Sequence, residues 1–560
     1  MNKIADFFLH RPVCSAILLA VLATISTLPQ GIPGLHNDDL QIYFLLLNGG
    51  ADGGAVGYSL FTNYALGWII AQLSFIFPSC NIYLIYLFLL AFIACCCVNY
   101  FVLGQRTQEG RFNGRYDKIH LLITVLLLLL INRACLRLLQ YTHVAMWASV
   151  VSVLLMSSIH REGRFLLKSI LAIFLMLNAF ALRESSVVPA LCVALCLCVV
   201  NVKNLRMIAL FASVILLLSC VHFFNNSAYN AVPEWSVAKR DMSIRQKILD
   251  SPDNSDVNKA QYMREQGIDP DVFESFKSFV YCPSMQDEAK LNKALNIHRM
   301  ARRGFLGSQF LADKGFLEVS GQQRMGEHDT VFRAITPWIP LVSAFLIWLP
   351  GAQRRTMCSA LGMLGILLCY LGGLVLFQRM VGRVVNPVLY GAAIWMMALP
   401  LKKRYFSEMR LTCVASICVA LVSFLFVNRH WPSFTNRVAE RCYCEAHPDK
   451  LYLTMQVGKD LYPRGFGGYS YRWMSQTNVL PIADGWCYYT PAYEAALRKH
   501  GFQSYEAAFM HPNTRIIANK KNVSMLGHLE KLAECEWGKK VELSIEDSFG
   551  ELYFVKVNQK

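Results

Sequence analysis

Residues 13–30 read VCSAILLAVLATISTLPQ, and His36-Asn37-Asp38-Asp39 follows five residues later. An apolar run of this length can cross the hydrocarbon core of a bilayer as a helix. The adjoining residues 31–58 contain no Lys or Arg but three carboxylates, Asp38, Asp39 and Asp52. The pattern therefore predicts a membrane helix that ends beside an acidic loop.

The whole chain is rich in hydrophobic residues and poor in charged ones. Of its 560 residues, 54% are hydrophobic and only 16% are charged, whereas soluble proteins carry about 25% charged residues. The net charge of +16 lies mainly in short loops, where retention in the cytoplasm and anionic lipid headgroups explain it better than nucleic acid does. The apolar segments are 13–30, 59–77, 82–104, 119–132, 139–158, 166–182, 187–202, 207–223, 337–350, 357–377, 385–400 and 411–427.

The loop charges predict the topology. If residues 59–77 lie along the outer surface, the cytoplasmic loops hold 17 Lys and Arg residues, and the short outer loops hold five. If this segment crossed the bilayer, every later loop would change sides and the basic loops would face outward. The excess of cytoplasmic positive charge favours the first arrangement, with 11 spans, a cytoplasmic N-terminus and an extracytoplasmic C-terminus.

The predicted fold class is an all-α polytopic membrane bundle with juxtamembrane helices and a small α/β extracytoplasmic C-terminal domain. Residues 1–427 form the transmembrane domain, with a first outer loop at 31–81 and a large outer loop at 224–336. Residues 428–560 form the C-terminal domain. The patterns predict helices at 236–249, 286–303 and 524–535, strands at 451–455 and 515–518, and a hairpin at 541–545 and 552–557.

Two further expectations concern the outer regions. Gly49-Gly50 and Gly53-Gly54 flank Asp52 and predict a movable loop. One or two disulfides are compatible with an extracytoplasmic C-terminal region, whose cysteines are Cys442, Cys444, Cys487 and Cys535.

Carboxylates and arginines collect on the predicted outer face. Asp38 or Asp39 can take a proton from an acceptor hydroxyl, and guanidinium groups can hold a phosphate. The candidate substrate-binding residues lie at span ends: Arg133, Arg137, Arg183, Glu184, Arg379 and Arg383. Solvated carboxylates at a helix end and arginines that reach toward headgroups are the alternative interpretation. No spacing of metal ligands and no nucleotide-binding loop occurs, so neither a metal nor a cofactor is predicted.

The order of these motifs along the chain resembles the GT-C superfamily of integral membrane glycosyltransferases, in particular bacterial relatives of protein mannosyltransferases. The strings that carry the resemblance are His36-Asn37-Asp38-Asp39, Phe61-Thr62-Asn63-Tyr64-Ala65-Leu66-Gly67, Asn81-Ile82-Tyr83, Gln140-Tyr141-Thr142-His143-Val144-Ala145, Leu182-Arg183-Glu184-Ser185 and Gly382-Arg383-Val384. The resemblance implies a polyprenyl-phosphate sugar donor and an acidic first-loop residue that acts as general base or binds the acceptor.

The resulting hypothesis is an inverting sugar transferase on the outer face of a plasma or inner membrane. Arg183 and Arg383 would bind the donor phosphate, and a glycan, lipid or protein would accept the sugar. One alternative is an envelope polysaccharide polymerase or ligase, and another is a transporter of a lipid-linked sugar; a non-catalytic scaffold also stays open. The polymerase or ligase would depend on basic residues of the large loop: Arg240, Arg245, Arg299, Arg302 and Arg303.

Overall fold

The structure is a computed structural model, and it is mostly helical, with one small sheet near the C-terminus. It describes residues 11–27, 37–51, 56–108, 115–158, 165–187, 190, 205–249, 259–277, 280–303, 338–348, 361–362, 364–365, 367–372, 382–398, 438–455, 461–463, 465–481, 486–520 and 523–560.

The helices in chain order are α1 (Pro12–Thr27), α2 (Asn37–Leu46), α3 (Tyr64–Ile76), α4 (Ile82–Gln108), α5 (Arg115–Arg137), α6 (Tyr141–Ser157), α7 (Phe165–Leu182), α8 (Leu205–Asn230), α9 (Pro233–Leu249), α10 (Lys259–Glu265), α11 (Pro270–Lys277), α12 (Glu288–Arg303), α13 (Trp338–Trp348), α14 (Gly382–Met397), α15 (Val438–Glu445), α16 (Tyr471–Gln476), α17 (Pro491–Lys499), α18 (Tyr505–Phe509) and α19 (Leu526–Trp537). The strands are β1 (Leu451–Thr454), β2 (Val479–Pro481), β3 (Thr514–Asn519), β4 (Val541–Phe549) and β5 (Leu552–Gln559).

The chain divides into two compact units. The helical unit contains the described residues of Met1–Pro33, Tyr86–His222 and Lys314–Ser433. The sheet unit contains those of Gly34–Ile85, Phe223–Asp313 and Phe434–Lys560. The described parts of both predicted outer loops therefore pack with the C-terminal region.

Apolar helices with a few buried polar contacts make up the helical unit. The Asn99 side chain donates to the Ala16 carbonyl (3.0 Å) and accepts a hydrogen bond from Asn132 (2.8 Å), so it joins α4, α1 and α5. The Ser152 hydroxyl donates to the Ala172 carbonyl (2.6 Å) and joins α6 to α7. These bonds satisfy polar groups that would otherwise be costly to bury, and they set the register of the helices.

Three described helices are long and apolar enough to cross a membrane: Ile82–Gly104, Phe165–Leu182 and Arg206–Asn230. They coincide with the predicted segments 82–104, 166–182 and 207–223. The predicted segments 187–202 and 411–427 lie outside the described residues, apart from Val187 and Ala190. The structure thus confirms that the chain has helices long and apolar enough to cross a membrane. The total of 11 spans stays a prediction.

The C-terminal sheet has the strand order β2-β1-β3-β5-β4. Strand β1 is parallel to both β2 and β3, whereas β5 is antiparallel to β3 and β4. On β3, the Arg515 guanidinium is buried and makes a two-pronged ion pair with Glu546 of β4, across the intervening β5. Paired hydrogen bonds of this kind fix the geometry as well as the charge, and they hold the pKa of Glu546 below its usual value.

Several local predictions are confirmed. Helices α9, α12 and α19 cover most of the predicted helical stretches, and β1, β3 and the β4–β5 hairpin occupy the predicted strands. The hairpin turns at Gly550-Glu551, and β4 extends to Phe549, four residues beyond the predicted strand end at 545. Gly550 has a positive φ of 61°, which a tight turn between these strands requires.

The expectation of a movable glycine loop is wrong for Gly49-Gly50. Both residues have positive φ, and a Cβ on Gly49 would lie 2.6 Å from the Cβ of Ala496. A Cβ on Gly50 would lie 2.5 Å from the Met474 carbonyl oxygen. These glycines permit close packing of the first loop against α16 and α17. Asp52 and Gly53-Gly54 lie outside the described residues.

No disulfide joins the described cysteines of the C-terminal region. Cys444 of α15 and Cys487 are buried, whereas Cys442 and Cys535 are exposed. The expected disulfides are therefore not formed among these four residues.

Stability of the sheet unit should depend on pH through His500, which follows α17. Burial, and secondarily Lys499, lower the pKa of His500 from 6.5 to about 4. Its Nε2 makes no hydrogen bond to a described residue. At a pH between these two pKa values, His500 binds a proton in the unfolded state but not in the folded state. The free energy of unfolding therefore falls as the pH drops. At pH 5 we expect a loss on the order of 2 kcal/mol relative to pH 7.

Hydrogen exchange of the full chain, corrected for intrinsic rates, would measure this effect in residues 491–518. The His500→Gln variant should lose most of the pH dependence of its opening free energy between pH 7 and pH 5. An unchanged slope in this variant would show that another group is responsible.

Candidate functional site

The two aspartates lie in the first turn of α2, in the sheet unit. Asp39 is fully buried, and its Oδ1 accepts a hydrogen bond from the Tyr83 hydroxyl (3.2 Å). Asp38 is only half-buried. The helix N-terminus favours both negative charges. Asp38 is therefore the more accessible of the two, whereas Asp39 is buried and bonded to Tyr83.

The best-defined polar cluster of the helical unit surrounds Arg183, which directly follows α7. Its Nη1 donates to the Tyr141 hydroxyl (2.5 Å) and to Thr142 Oγ1 (2.6 Å), and its Nε donates to Ser185 Oγ (3.0 Å). The guanidinium carbon lies 5.1 Å from the centre of the Tyr141 ring. Three hydrogen bonds and a cation–π contact therefore hold one side of this guanidinium.

The second terminal nitrogen of the same group, Nη2, has no described hydrogen-bond partner. The Arg183 side chain as a whole is half-buried. The described hydrogen-bond partners of this guanidinium are neutral hydroxyl groups. It can therefore present an oriented donor to an anion.

Local backbone structure explains why Arg183 is held in place. Helix α7 ends at Leu182, Arg183 is extended, and Glu184–Ser186 form a single 3₁₀ turn. The Ser186 hydroxyl donates to the Ala179 carbonyl (3.2 Å), and the Ser186 carbonyl accepts from Ser149 Oγ of α6 (3.1 Å). These bonds fix the turn against both helices, so the position of Arg183 does not depend on a free loop.

Glu184 faces away from Arg183 toward α8. Its Oε2 lies 3.2 Å from Nδ1 of His222, and both side chains are partly exposed. This pair is a salt bridge only when His222 is protonated. It leaves the Arg183 charge without compensation from Glu184, so the cluster favours an anionic ligand.

Arg133 and Arg137 lie at the same end of the helical unit as Arg183. Both are in the last two turns of α5, and only residues 138–140 separate them from Tyr141 at the start of α6. Arg133 is buried, whereas Arg137 is half-buried. Short connections between antiparallel helices place these positive charges next to the Tyr141 end of α6.

Arg383 is the second residue of α14. Trp147 of α6 makes an edge-on contact with Tyr390 of α14, and Val150 packs directly on Gly391. These contacts show that α14 packs against α6. Arg379 lies outside the described residues.

The structure thus brings three of the predicted arginines, Arg133, Arg137 and Arg183, to the Tyr141 end of α6, while Asp38 and Asp39 belong to the sheet unit. Sequence reasoning did not select Tyr141, Thr142 or His222 as site residues. A usable signal existed, because all three lie at the predicted outer ends of apolar segments. Tyr141 and Thr142 also belong to one of the sequence strings that resemble the GT-C superfamily.

Across the described ranges, no three His, Cys, Asp or Glu side chains are grouped closely enough to hold a metal ion. No protein-family model, curated protein or solved structure matches this chain.

Proposed function

We propose that this protein is an inverting membrane glycosyltransferase that moves a sugar from a polyprenyl-phosphate donor to an acceptor on the outer face of the membrane. The observation that supports it best is the guanidinium of Arg183, held by Tyr141 and Thr142 with its Nη2 directed to no described partner. Arg183 directly follows α7, a helix that is long and apolar enough to cross a bilayer.

This location suits a lipid phosphate better than a soluble one. The polyprenyl tail of such a donor stays in the hydrocarbon region, so its phosphate lies near the ends of the membrane helices. Arg133 and Arg137 add positive charge at the same end of the helical unit. Arginines in a partly dehydrated setting stabilise the negative charge that develops on a departing phosphate.

In the proposed reaction, the Asp38 carboxylate takes the proton of an acceptor hydroxyl. The acceptor oxygen forms a bond to the anomeric carbon of the donor sugar, and the bond from that carbon to the phosphate oxygen breaks. The electron pair leaves with the phosphate, which Arg183 binds. Attack from the opposite face inverts the anomeric configuration. Asp39 holds the start of α2 through its bond with Tyr83.

The proposed topology keeps 11 spans, with residues 59–77 on the outer surface. Helix α3 has 13 residues and is therefore about 20 Å long, shorter than the hydrocarbon core of about 30 Å. One face packs through Ile70 and Ala71, while Trp68, Phe75 and Ile76 are exposed. A short helix with an apolar exposed face suits the membrane–water interface.

Two of the large-loop arginines support a polymerase or ligase less well, and the side chains of Arg299, Arg302 and Arg303 lie outside the described part of the chain. Arg240 makes ion pairs with Asp241 (3.1 Å) and Glu288 (2.9 Å). Arg245 is buried against the ring of Tyr489, with its guanidinium carbon 3.7 Å from the ring centre. Both side chains therefore have structural partners within the sheet unit.

A donor panel tests the proposed function. The purified full chain in liposomes should consume at least one polyprenyl-phosphate monosaccharide and release polyprenyl phosphate, and the transferred sugar should have the inverted anomeric configuration. Mass spectrometry of the lipid and NMR of the product would measure both. Consumption of polyprenyl-diphosphate oligosaccharides alone would favour a polymerase or ligase, and it would contradict the proposal.

A further inference from the structure

Helix α2 carries the proposed base, but it is too short to be stable on its own. It has 10 residues, and isolated helices of fewer than about 12–15 residues are marginal in water. Residues 42–46 are all buried within the sheet unit. The packing of α2 on its neighbours therefore decides where Asp38 lies.

The first contact of α2 with the C-terminal region comes one turn after Asp38. Gln41 is 6% exposed, and its Oε1 accepts a hydrogen bond from the backbone N–H of Trp486 (2.6 Å). The Trp486 indole also makes an edge-on contact with Phe61, with the ring centres 6.1 Å apart. Because the donor is a backbone group, its position is set by the chain and not by a side-chain rotamer.

Backbone hydrogen bonds hold the other end of the first outer loop. The Arg472 N–H donates to the Pro78 carbonyl (2.8 Å), and the Asn81 N–H donates to the Phe466 carbonyl (2.6 Å). Between the two ends, Gly49-Gly50 packs directly on α16 and α17. The C-terminal region therefore contacts this loop near its beginning, in its middle and at its end.

Among these contacts, Gln41 lies nearest to the proposed base in the chain. Asp38 precedes Gln41 by three residues, and residues at this spacing share one face of a helix. The distance between them along the helix axis is about 4.5 Å. A bond that fixes Gln41 therefore also fixes the helix face that carries Asp38.

We propose that Gln41 is a positioning residue for Asp38, through which the C-terminal region holds the proposed base in place. Gln41 acts by keeping the first turn of α2 ordered, without touching the substrate. A base works only within hydrogen-bond reach of the proton that it takes, and small misplacements reduce the rate strongly. The inference rests on the proposed function for the identity of the base, whereas the hold on α2 needs no reaction.

Hydrogen exchange of the full chain in nanodiscs tests this hold. Gln41→Met removes the acceptor but keeps the length of the side chain. Amides of residues 40–46 should exchange about ten-fold faster than in wild type, because the Trp486 N–H loses its partner. Exchange in β3 should stay unchanged, which shows that the sheet remains folded. Gln261→Met, at an exposed glutamine of α10, is the matched control and should have no effect.

A pair of glycine variants tests the same hold without removal of a hydrogen bond. Gly50 and Gly267 have nearly the same positive φ, 73° and 72°, so alanine strains both backbones equally. A Cβ on Gly50 would lie 2.5 Å from the Met474 carbonyl oxygen, whereas no described atom lies within 4 Å of a Cβ on Gly267. Gly50→Ala should therefore speed exchange in residues 40–46, and Gly267→Ala should not.

Kinetics separates a positioning role from a merely structural one. With a polyprenyl-phosphate monosaccharide that the wild type consumes, Gln41→Met should lower kcat about ten-fold and leave KM for this donor within about two-fold. The reason is that Arg183, and not α2, binds the donor phosphate in the proposed reaction.

Unchanged exchange in either Gln41→Met or Gly50→Ala would overturn the inference, and so would faster exchange with an unchanged kcat. Failure of the wild type to consume any donor would contradict the proposed function instead. The exchange rates would still decide whether Gln41 holds α2.

Discussion

Replacement of Asp38 by Asn should reduce sugar transfer by a factor of about 10²–10⁴, the usual contribution of a general base. The amide has nearly the same shape as the carboxylate but cannot take the proton of the acceptor hydroxyl. Asp38 is half-buried in the first turn of α2, so the change should leave folding and membrane insertion intact. Transfer by the purified variant and wild type, compared at equal amounts of folded protein, measures the effect.

Asp39→Asn is the matched control for this experiment. The amide oxygen can still accept the hydrogen bond from Tyr83, so we expect transfer within about three-fold of wild type, because a retained bond preserves most of its contribution. Loss of activity in Asp39→Asn, with activity retained in Asp38→Asn, would assign the base to Asp39 instead. Full activity in the double variant would remove the base mechanism altogether.

Replacement of Arg183 by Gln should lower kcat/KM for the lipid donor by about 10–100-fold. A hydrogen bond to a charged group contributes about 1.5–3 kcal/mol, and the developing charge on the phosphate makes this loss largest in the transition state. Arg183→Lys should recover only part of the activity, because an ammonium cannot bond Tyr141, Thr142 and a phosphate with one planar group. Initial rates over a series of donor concentrations measure both.

Two further variants separate phosphate binding from structural effects. Tyr141→Phe keeps the ring under the guanidinium but removes one hydroxyl, so we expect a decrease of about three- to ten-fold from the loss of one hydrogen bond. Arg206→Gln removes an exposed arginine from the first turn of α8 and should have no effect. Equal losses in Arg183→Gln and Arg206→Gln would indicate a general effect of charge and contradict a specific role for Arg183.

Long apolar runs were the part of the fold whose secondary structure could be predicted from the sequence. A helix satisfies every backbone hydrogen bond within its own segment, so a run such as residues 82–104 has few alternatives in lipid. The β4–β5 hairpin was equally predictable, because alternating residues and a glycine turn act locally. Strand β2 was not predicted, since three residues that end in Pro481 have no periodicity of their own and depend on pairing with β1.

The candidate site was predicted only in outline. Span-end arginines could be found from charge and segment order, but the partners of Arg183 could not. Tyr141 and Thr142 lie about 40 residues earlier, and only the packing of α6 on α7 brings their hydroxyls to the guanidinium. The same holds for Asp38 and Asp39, which are neighbours in sequence but differ in burial because only Asp39 faces Tyr83.

The sequence by itself determined that this chain has membrane-type helices, a small α/β region near its end and charged residues at the ends of apolar segments. These properties are local, because hydrophobicity over about 20 residues and strand alternation need no distant partner. Only the tertiary structure decided that Gly49-Gly50 is tightly packed, that Arg183 is anchored on one side, and that Trp486 is bound to α2. Each of these depends on contacts between residues far apart in the chain, which no local pattern encodes.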